Sequence, residues 1–146
     1  MRRRAPRRQW ASLPSDERQA LLTMVWLVPA LHIAVRVFDY RRTRAWIDRS
    51  GGKIRPHADG RPRVEALRLA TTRVQAYSWL RGNCLSRSLG LYWLMLRAGY
   101  SPVLRLGVSL AEGTFTAHAW VEHEGVVLND TQDVSVRYRP LEMSGR

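Results

Sequence analysis

Apolar residues recur at helical spacing in the first third of the chain. Ser15, followed by Asp16 and Glu17, is a typical helix start, because a hydroxyl can cap the first turn and acids suit its positive end. Beyond this start, apolar positions separated alternately by three and four residues fall on one helical face: Leu21, Met24, Val28, Leu31, Val35 and Phe38. The spacing predicts a long helix whose apolar face is buried against the rest of the protein.

The same segment raises the alternative of membrane contact, since it carries no charge from Ala20 to Val35. These 16 residues are fewer than the ~20 that a helix needs to cross the hydrocarbon layer. Pro29 and His32 interrupt the run, and basic residues flank both of its ends, so no orientation is favoured. We therefore favour a buried helix kinked at Pro29 over membrane contact, with His32 as a packed side chain.

Two shorter helices are predicted after a segment typical of a linker, residues 51–63, which is rich in glycine, proline and charge. The first of them has one apolar face: Val64, Leu67, Ala70, Val74 and Tyr77. We expect this helix to end near Gly82. Asn83 is a natural N-cap for the next helix, which has Cys84 in its first turn and Gly99 at its end. Few of its positions are polar, so we expect it to be enclosed on most sides.

The last third of the chain alternates in the manner of strands. Pro102 to Leu110 alternates up to a turn at Glu112-Gly113, and the predicted second and third strands are 115–122 and 126–130. Val134, Val136 and Tyr138 suggest one more edge strand. The order of elements predicts an α+β fold, divided into a basic arm (1–14), an N-terminal helical part (15–50), a linker (51–63) and a core (64–146).

Composition limits the function classes. A chain of 146 residues, 45% of them hydrophobic, is one globular domain of ordinary size. The net charge of +12 rests on arginine, because Lys53 is the only lysine, and no nucleic-acid-binding module is recognised, so we expect no nucleic-acid partner. The single cysteine excludes an internal disulfide, and we expect no secretory signal, because the basic start is not followed closely by an apolar stretch and a small-residue cleavage site. We expect a cytoplasmic protein.

Cys84 is the first candidate for chemistry. A thiol in the first turn of a helix lies near the positive end of the backbone dipoles and near unpaired N–H groups, which favour thiolate over thiol. The same N–H groups can hold an oxyanion, so the Cys84 backbone is a candidate oxyanion donor, with Asn83 and Gln75 as further candidates. The alternative is that Cys84 is a small buried hydrophobic residue.

His118 and Asp130 are the candidate base and orienting acid. If His123-Glu124-Gly125 is a three-residue hairpin loop, Glu122 pairs with Val126 and His118 lies directly opposite Asp130, with Cβ atoms ~5 Å apart. The carboxylate then accepts from one imidazole nitrogen and leaves the other for the thiol. A two-residue loop would shift the pairing by one and turn Asp130 to the opposite face.

Other chemistries fit the residues less well. Zinc on Cys84, His118 and Asp130 would lack a second cysteine and a closely spaced ligand pair, so we expect no metal and no cofactor. Ser86 and Ser88 lack the strand-turn-helix elbow of serine hydrolases. Trp120, on the same strand face as His118, is a candidate wall of a substrate groove or a packing residue.

Several of these motifs together resemble a known enzyme family. The motifs are Cys84–Leu89, the apolar helix ending at Arg97-Ala98-Gly99, the strand 104–108, the segment 115–122 that contains Ala-His-Ala-Trp-Val-Glu, and Asn129-Asp130. They resemble the lasso peptide leader peptidases, the discrete peptidase half of the split B protein, which have a transglutaminase-like, papain-related core. The resemblance covers roughly residues 64–130, and more loosely the helical part before them.

The resemblance implies a cysteine peptidase that removes the leader from a ribosomally made lasso peptide precursor. Cys84 would be the nucleophile, His118 the base and Asp130 the orienting acid. Implied partners are the precursor peptide, a separate leader-binding recognition protein and the lasso cyclase. Two alternatives stay open, namely an acyltransferase on the same core and a non-enzymatic basic adaptor that binds a membrane or nucleic acid.

Overall fold

The computed structural model describes residues 12–52, 62–75 and 84–141. Most of the basic arm (1–11), most of the expected linker (53–61) and Asn83 therefore lie outside the described residues. In chain order the elements are α1 (Ser15–Gly51), α2 (Val64–Val74), α3 (Cys84–Arg97), β1 (Val103–Ala111), β2 (Thr114–His123), β3 (Val126–Val127), α4 (Val134–Arg137) and β4 (Arg139–Pro140). This order confirms the predicted α+β class.

Helix α1 begins at Ser15 as predicted, although no side chain caps it. Leu21, Met24, Val28 and Leu31 are buried, which confirms most of the predicted face. The backbone leaves helical dihedral angles at Asp39 (φ 66°, ψ 169°) and not at the expected Pro29. Asp39 restarts the helix in the manner of an N-cap, because its carboxylate accepts the N–H of Arg42 at 3.0 Å.

The opposite face of α1 is exposed, so the expectation of a buried helix is wrong for that side. Leu22, Trp26, Ile33 and Val37 are 51–79% exposed, and Phe38, which was expected on the buried face, is 56% exposed at the break. By length and composition α1 is apolar enough to span a membrane, and 22% of its most apolar window is buried within the protein.

Helices α2 and α3 pack on the buried face of α1. The side chains of Leu89, Leu91 and Met95 in α3 are fully buried, which confirms that this helix is enclosed. It ends as predicted, since Gly99 takes a φ of 79°. Helix α2 ends at Val74, whereas Tyr77 and Gly82, at the expected end of this helix, lie outside the described residues. A salt bridge between Arg73 and the buried Glu17 joins α2 to α1.

The sheet has the strand order β3-β2-β1-β4, with antiparallel neighbours. The predicted turn at Glu112-Gly113 is confirmed, and both residues have positive φ, as a two-residue hairpin turn requires. The predicted three-residue loop between β2 and β3 is wrong. Glu122 pairs with Val127, so the loop is Glu124-Gly125, with φ of 51° and 78°.

The outer parts of the sheet differ from the alternation in the sequence. By alternation Phe115 lies on the same strand face as Ala119 and Val121, but it is 67% exposed, and its cross-strand partner Leu110 is 73% exposed. The expected strand at Val134–Tyr138 is instead a helical turn over Val134–Arg137. The edge strand follows it at Arg139–Pro140 and pairs with β1.

A small second core lies on the sheet face away from α3. It contains the fully buried Trp120 with Val127, Val134 and Tyr138. Trp120 and Tyr138 pack directly against Gly107. A Cβ added at this glycine would lie 2.7 Å from the indole and 2.9 Å from the Tyr138 Cβ. The sheet therefore holds aromatic residues on one face and packs Ala119 and Val121 on the other.

Candidate active site

Cys84 is the first residue of α3, and its side chain is half-buried. The first backbone N–H groups of a helix have no intrahelical partner, so this end of α3 presents donors and a positive dipole. Cys84 lines a cavity of about 240 Å³. The other lining residues are Gln75, Arg87, His118, Ala119, Asn129, Asp130 and Thr131.

His118 and Asp130 are in direct contact on the wall of this cavity. The Nε2 atom of His118 forms a hydrogen bond with Oδ2 of Asp130, and both side chains are less than a quarter exposed. This contact leaves the Nδ1 atom of His118 free of the carboxylate. The structure thus brings Cys84, His118 and Asp130 to one cavity.

The way in which Asp130 reaches His118 differs from the prediction. The observed loop shifts the pairing by one residue, so the N–H of Leu128 donates to the carbonyl of Val121 at 2.9 Å. Continued as a strand, this register would place Asp130 opposite Ala119. The chain instead bends over 128–130, and the bend carries the carboxylate back to the imidazole.

Asn129 and Ser88 hold this bend against α3. The Oδ1 atom of Asn129 accepts the N–H of Val121 at 2.8 Å, in place of the next backbone carbonyl of a strand. The Nδ2 atom of Asn129 donates to Oγ of Ser88 at 2.8 Å, and this hydroxyl donates to the carbonyl of Ala119 at 2.8 Å. One buried serine thereby ties together the helix of Cys84, the strand of His118 and the bend of Asp130.

Asp130 has further partners in addition to His118. Its Oδ1 atom accepts the N–H of Thr131 at 2.7 Å and Nη2 of Arg137 at 2.7 Å. Burial disfavours the charged carboxyl, but the hydrogen bonds from Thr131, His118 and Arg137 outweigh it and hold the pKa of Asp130 below its usual value. The Asp130 carboxyl is therefore ionised and can accept a hydrogen bond from the imidazole of His118.

Two aromatic rings lie beside the imidazole. The ring of Tyr138 stacks on His118 with centroids 4.8 Å apart, and that of Trp120 lies 6.3 Å away. Trp120 is 0% exposed and its indole N–H donates to Glu122 at 2.8 Å. The suggestion that Trp120 forms a substrate groove is therefore corrected, because a fully buried indole has no surface for a substrate and serves as packing beneath His118.

Of the two further candidates for oxyanion donors, only one lies in the described part of the chain. Gln75 lines the cavity with Cys84, whereas Asn83 lies outside the described residues. Arg87, one turn after Cys84, also lines the cavity and forms no ion pair with any described residue. The signal for Arg87 in the sequence is its spacing of three residues from Cys84, which places it on the same helical face.

Two other cavities in the described part of the chain contain no comparable set of residues. No group of three or more His, Cys, Asp and Glu side chains there could hold a metal ion. Two larger cavities of about 330 Å³ each lie away from Cys84, one of them bordered by α1, α2 and α3 and the other along α1. Neither contains a nucleophile beside a base.

Residues 24–143 match the family model of the transglutaminase-like superfamily. The chain belongs to the transglutaminase-like superfamily. No curated protein and no solved structure matches the chain. The transglutaminase-like match runs from within α1 past β4 and so contains Cys84, His118 and Asp130.

Proposed function

We propose that this protein is a cysteine peptidase that removes the leader from a ribosomally synthesised lasso peptide precursor. The observation that supports it best is the shared cavity of Cys84, His118 and Asp130, in which the imidazole turns Nε2 to the carboxylate. The superfamily contains cysteine peptidases and acyltransferases. The motifs Cys84–Leu89 and Ala117–Glu122 favour the leader peptidases among them.

The geometry fits acyl transfer through a thioester. Because Asp130 accepts from Nε2 of His118, the imidazole keeps Nδ1 as the nitrogen that takes the thiol proton. The sulfur of Cys84 then attacks the carbonyl carbon at the junction of leader and core. His118 returns the proton to the departing amine, and water, deprotonated by the same nitrogen, hydrolyses the thioester.

Stabilisation of the tetrahedral oxyanion falls to the start of α3. The backbone N–H of Cys84 is one donor, because N–H groups in the first turn of a helix lack helical partners. Gln75 is the second donor in this proposal, since its side chain lines the same cavity. Asn83 keeps its place as a candidate from sequence alone.

The proposed partners follow from the proposed reaction. The substrate is the precursor peptide, a separate small protein captures its leader, and the lasso cyclase receives the core in the cytoplasm. The cavity beside Cys84 has a volume of about 240 Å³, which suits the side chains next to the cleaved bond. Capture of the leader by a separate protein is proposed from the family resemblance alone.

The thiol relay can be tested without a substrate. We expect iodoacetamide to alkylate Cys84 near pH 6 roughly tenfold faster in the native protein than in His118→Gln, because the imidazole assists formation of the thiolate. His123→Gln, which removes a histidine from the same strand, is the matched control and keeps the native rate. Equal rates in the native protein and in His118→Gln would contradict the relay.

The reaction itself is tested with a lasso peptide precursor and a separate leader-binding protein. We expect cleavage at the leader–core junction, followed by mass spectrometry, and a loss of at least ~10²-fold in Cys84→Ala and His118→Gln. An added primary amine distinguishes the two reactions, because an acyltransferase would attach the amine to the product. Cleavage that persists in Cys84→Ala would remove the nucleophile from the proposal.

A further inference from the structure

The exposed face of α1 is a continuous apolar strip. Its residues are Leu22, Trp26, Ile33 and Val37, which are 51%, 79%, 61% and 65% exposed. Their spacings of four, seven and four keep them on one side of the helix, over a length of about 22 Å. We call these four residues the α1 apolar strip.

This strip is unusual for the surface of the protein. Half of the large hydrophobic side chains that are exposed in the described part of the chain belong to α1, including Phe38 and Trp46 beyond the break at Asp39. The side chains of these two residues line an apolar groove of about 330 Å³. Contiguous exposed apolar surface of this length marks a contact with another molecule or with a membrane.

The charges around the strip are positive. The acids of α1 are mostly engaged within the protein, since Asp16 pairs with Arg63, Glu17 with Arg73, and Asp48 with Arg44. In contrast, four arginines of α1 form no ion pair with any described residue: Arg18, Arg36, Arg41 and Arg49.

The arginines lie where an interfacial helix needs them. Arg18 precedes Leu22 by one turn, and Arg36 follows Ile33 by three residues, so both flank the strip. The segment 1–8, ahead of the helix, carries five further arginines in the sequence. Apolar and tryptophan side chains bordered by arginine are typical of helices that lie in the headgroup region of anionic membranes.

We propose that the α1 apolar strip docks the protein on the surface of an anionic phospholipid bilayer. The helix lies flat and does not span, because spanning would pull Leu21, Met24 and Leu31 out of the core. Docked in this way, the strip enters the boundary of headgroups and acyl chains while the flanking arginines meet lipid phosphates. This inference is independent of the peptidase activity.

The test is flotation of the full chain with vesicles of phosphatidylglycerol and phosphatidylcholine, or of phosphatidylcholine alone. We expect binding to the anionic vesicles that weakens with salt, and little binding to the neutral ones. The double variant Trp26→Glu/Ile33→Glu should bind roughly 100-fold more weakly, because two buried apolar contacts are lost. Arg36→Gln should bind roughly fivefold more weakly.

Phe115→Glu is the matched control, since Phe115 is 67% exposed but lies on the β1–β2 hairpin. It should bind anionic vesicles like the native chain, and far-UV circular dichroism should show that every variant is folded. An equal loss in Phe115→Glu would overturn the assignment to α1. So would an absence of vesicle binding accompanied by self-association that Trp26→Glu/Ile33→Glu abolishes, because a second copy would then be the occupant.

Discussion

The Asp130 carboxylate is shared between two cationic or potentially cationic side chains. One oxygen bonds to the imidazole of His118, and the other accepts from Arg137 at 2.7 Å. Because both oxygens are fixed, the carboxylate cannot rotate without losing one of these contacts. Arg137 is thus a positioning residue, acting on the proposed base through the acid.

Arg137→Gln tests this arrangement through pH. The native contacts lower the pKa of Asp130, so they stabilise the folded state above the usual carboxyl pKa and lose this effect as pH falls through the folded value. Arg137 is 46% exposed, which limits the expected loss at pH 7 to ~1 kcal/mol. Urea unfolding at pH 7 and pH 3 should show a deficit that narrows at the lower pH.

Arg139→Gln is the control for that comparison, because Arg139 is exposed and follows Arg137 by two residues. It should unfold like the native protein at both pH values. A deficit of Arg137→Gln that is equal at pH 7 and pH 3 would mean that Arg137 acts by packing on the Tyr138 ring, 5.7 Å away, and not through the carboxylate.

Single residues with local signals were the easiest to predict. Cys84 follows Asn83, a residue type that favours the N-cap position, Gly99 has the backbone freedom of a helix end, and Ala117–Glu122 alternates as a strand, so each position is readable within one turn or strand. Arg137 carried no such signal. Its contact with Asp130 depends on the helical turn Val134–Arg137. The alternating apolar residues of this segment had predicted a strand there.

At the scale of elements, Ser88 is the point at which α3, β2 and the bend before Asp130 meet. Ser88→Ala should remove both of its hydrogen bonds and leave Asn129 Nδ2 and the Ala119 carbonyl unpaired, at a cost of ~1–3 kcal/mol. Guanidinium unfolding measures the loss, and the cleavage rate should fall with it. An unchanged free energy of unfolding would mean that the bend over 128–130 does not depend on the hydrogen bonds of Ser88.

Ser86 provides a matched control on the same helix. It is also fully buried, but its Oγ atom has no hydrogen-bond partner among the described residues. Ser86→Ala should therefore leave the free energy of unfolding within ~0.5 kcal/mol of the native value or raise it slightly. A loss equal to that of Ser88→Ala would show that volume, and not hydrogen bonding, explains both.

Periodicity in the sequence predicts the helix faces but not the register of the β2–β3 hairpin. The faces of α1 and α3 follow from periodicity, because a 3.6-residue repeat fixes which side chains share a side. The β2–β3 connection does not, since Glu124-Gly125 and His123–Gly125 are both acceptable loops and differ by one residue in register. The predicted contact between His118 and Asp130 is present despite the wrong register, because Asn129 interrupts the ladder and the chain bends there.

For the whole molecule, the close packing of α1 and α3 is the central contact. Two glycines allow it: an added Cβ at Gly51 would lie 2.8 Å from the Cβ of Leu96, and one at Gly90 would lie 2.9 Å from the sulfur of Met24. The first neighbour is fixed to a helix backbone, whereas the second is the end of a flexible side chain. The two sites should therefore differ in tolerance.

Gly51→Ala should destabilise the protein by ~1–3 kcal/mol, because the helices must move apart. Gly90→Ala should change stability by less than ~1 kcal/mol, since Met24 can rotate and alanine favours the helix. Thermal unfolding followed by circular dichroism compares them directly. A larger loss for Gly90→Ala would show that Met24 is held as rigidly as Leu96.

The three longer helices, most of their apolar faces and the identity of the residues that can perform chemistry follow from the sequence alone. These features depend on local periodicity and on side-chain type, which are readable from neighbours in the chain. Three features depend on tertiary contacts: Asp130 reaches His118 through a bend, Trp120 is buried beneath the imidazole, and one side of α1 is exposed. Each of those outcomes depends on which distant segment covers a residue, and periodicity cannot say whether an apolar face has a partner.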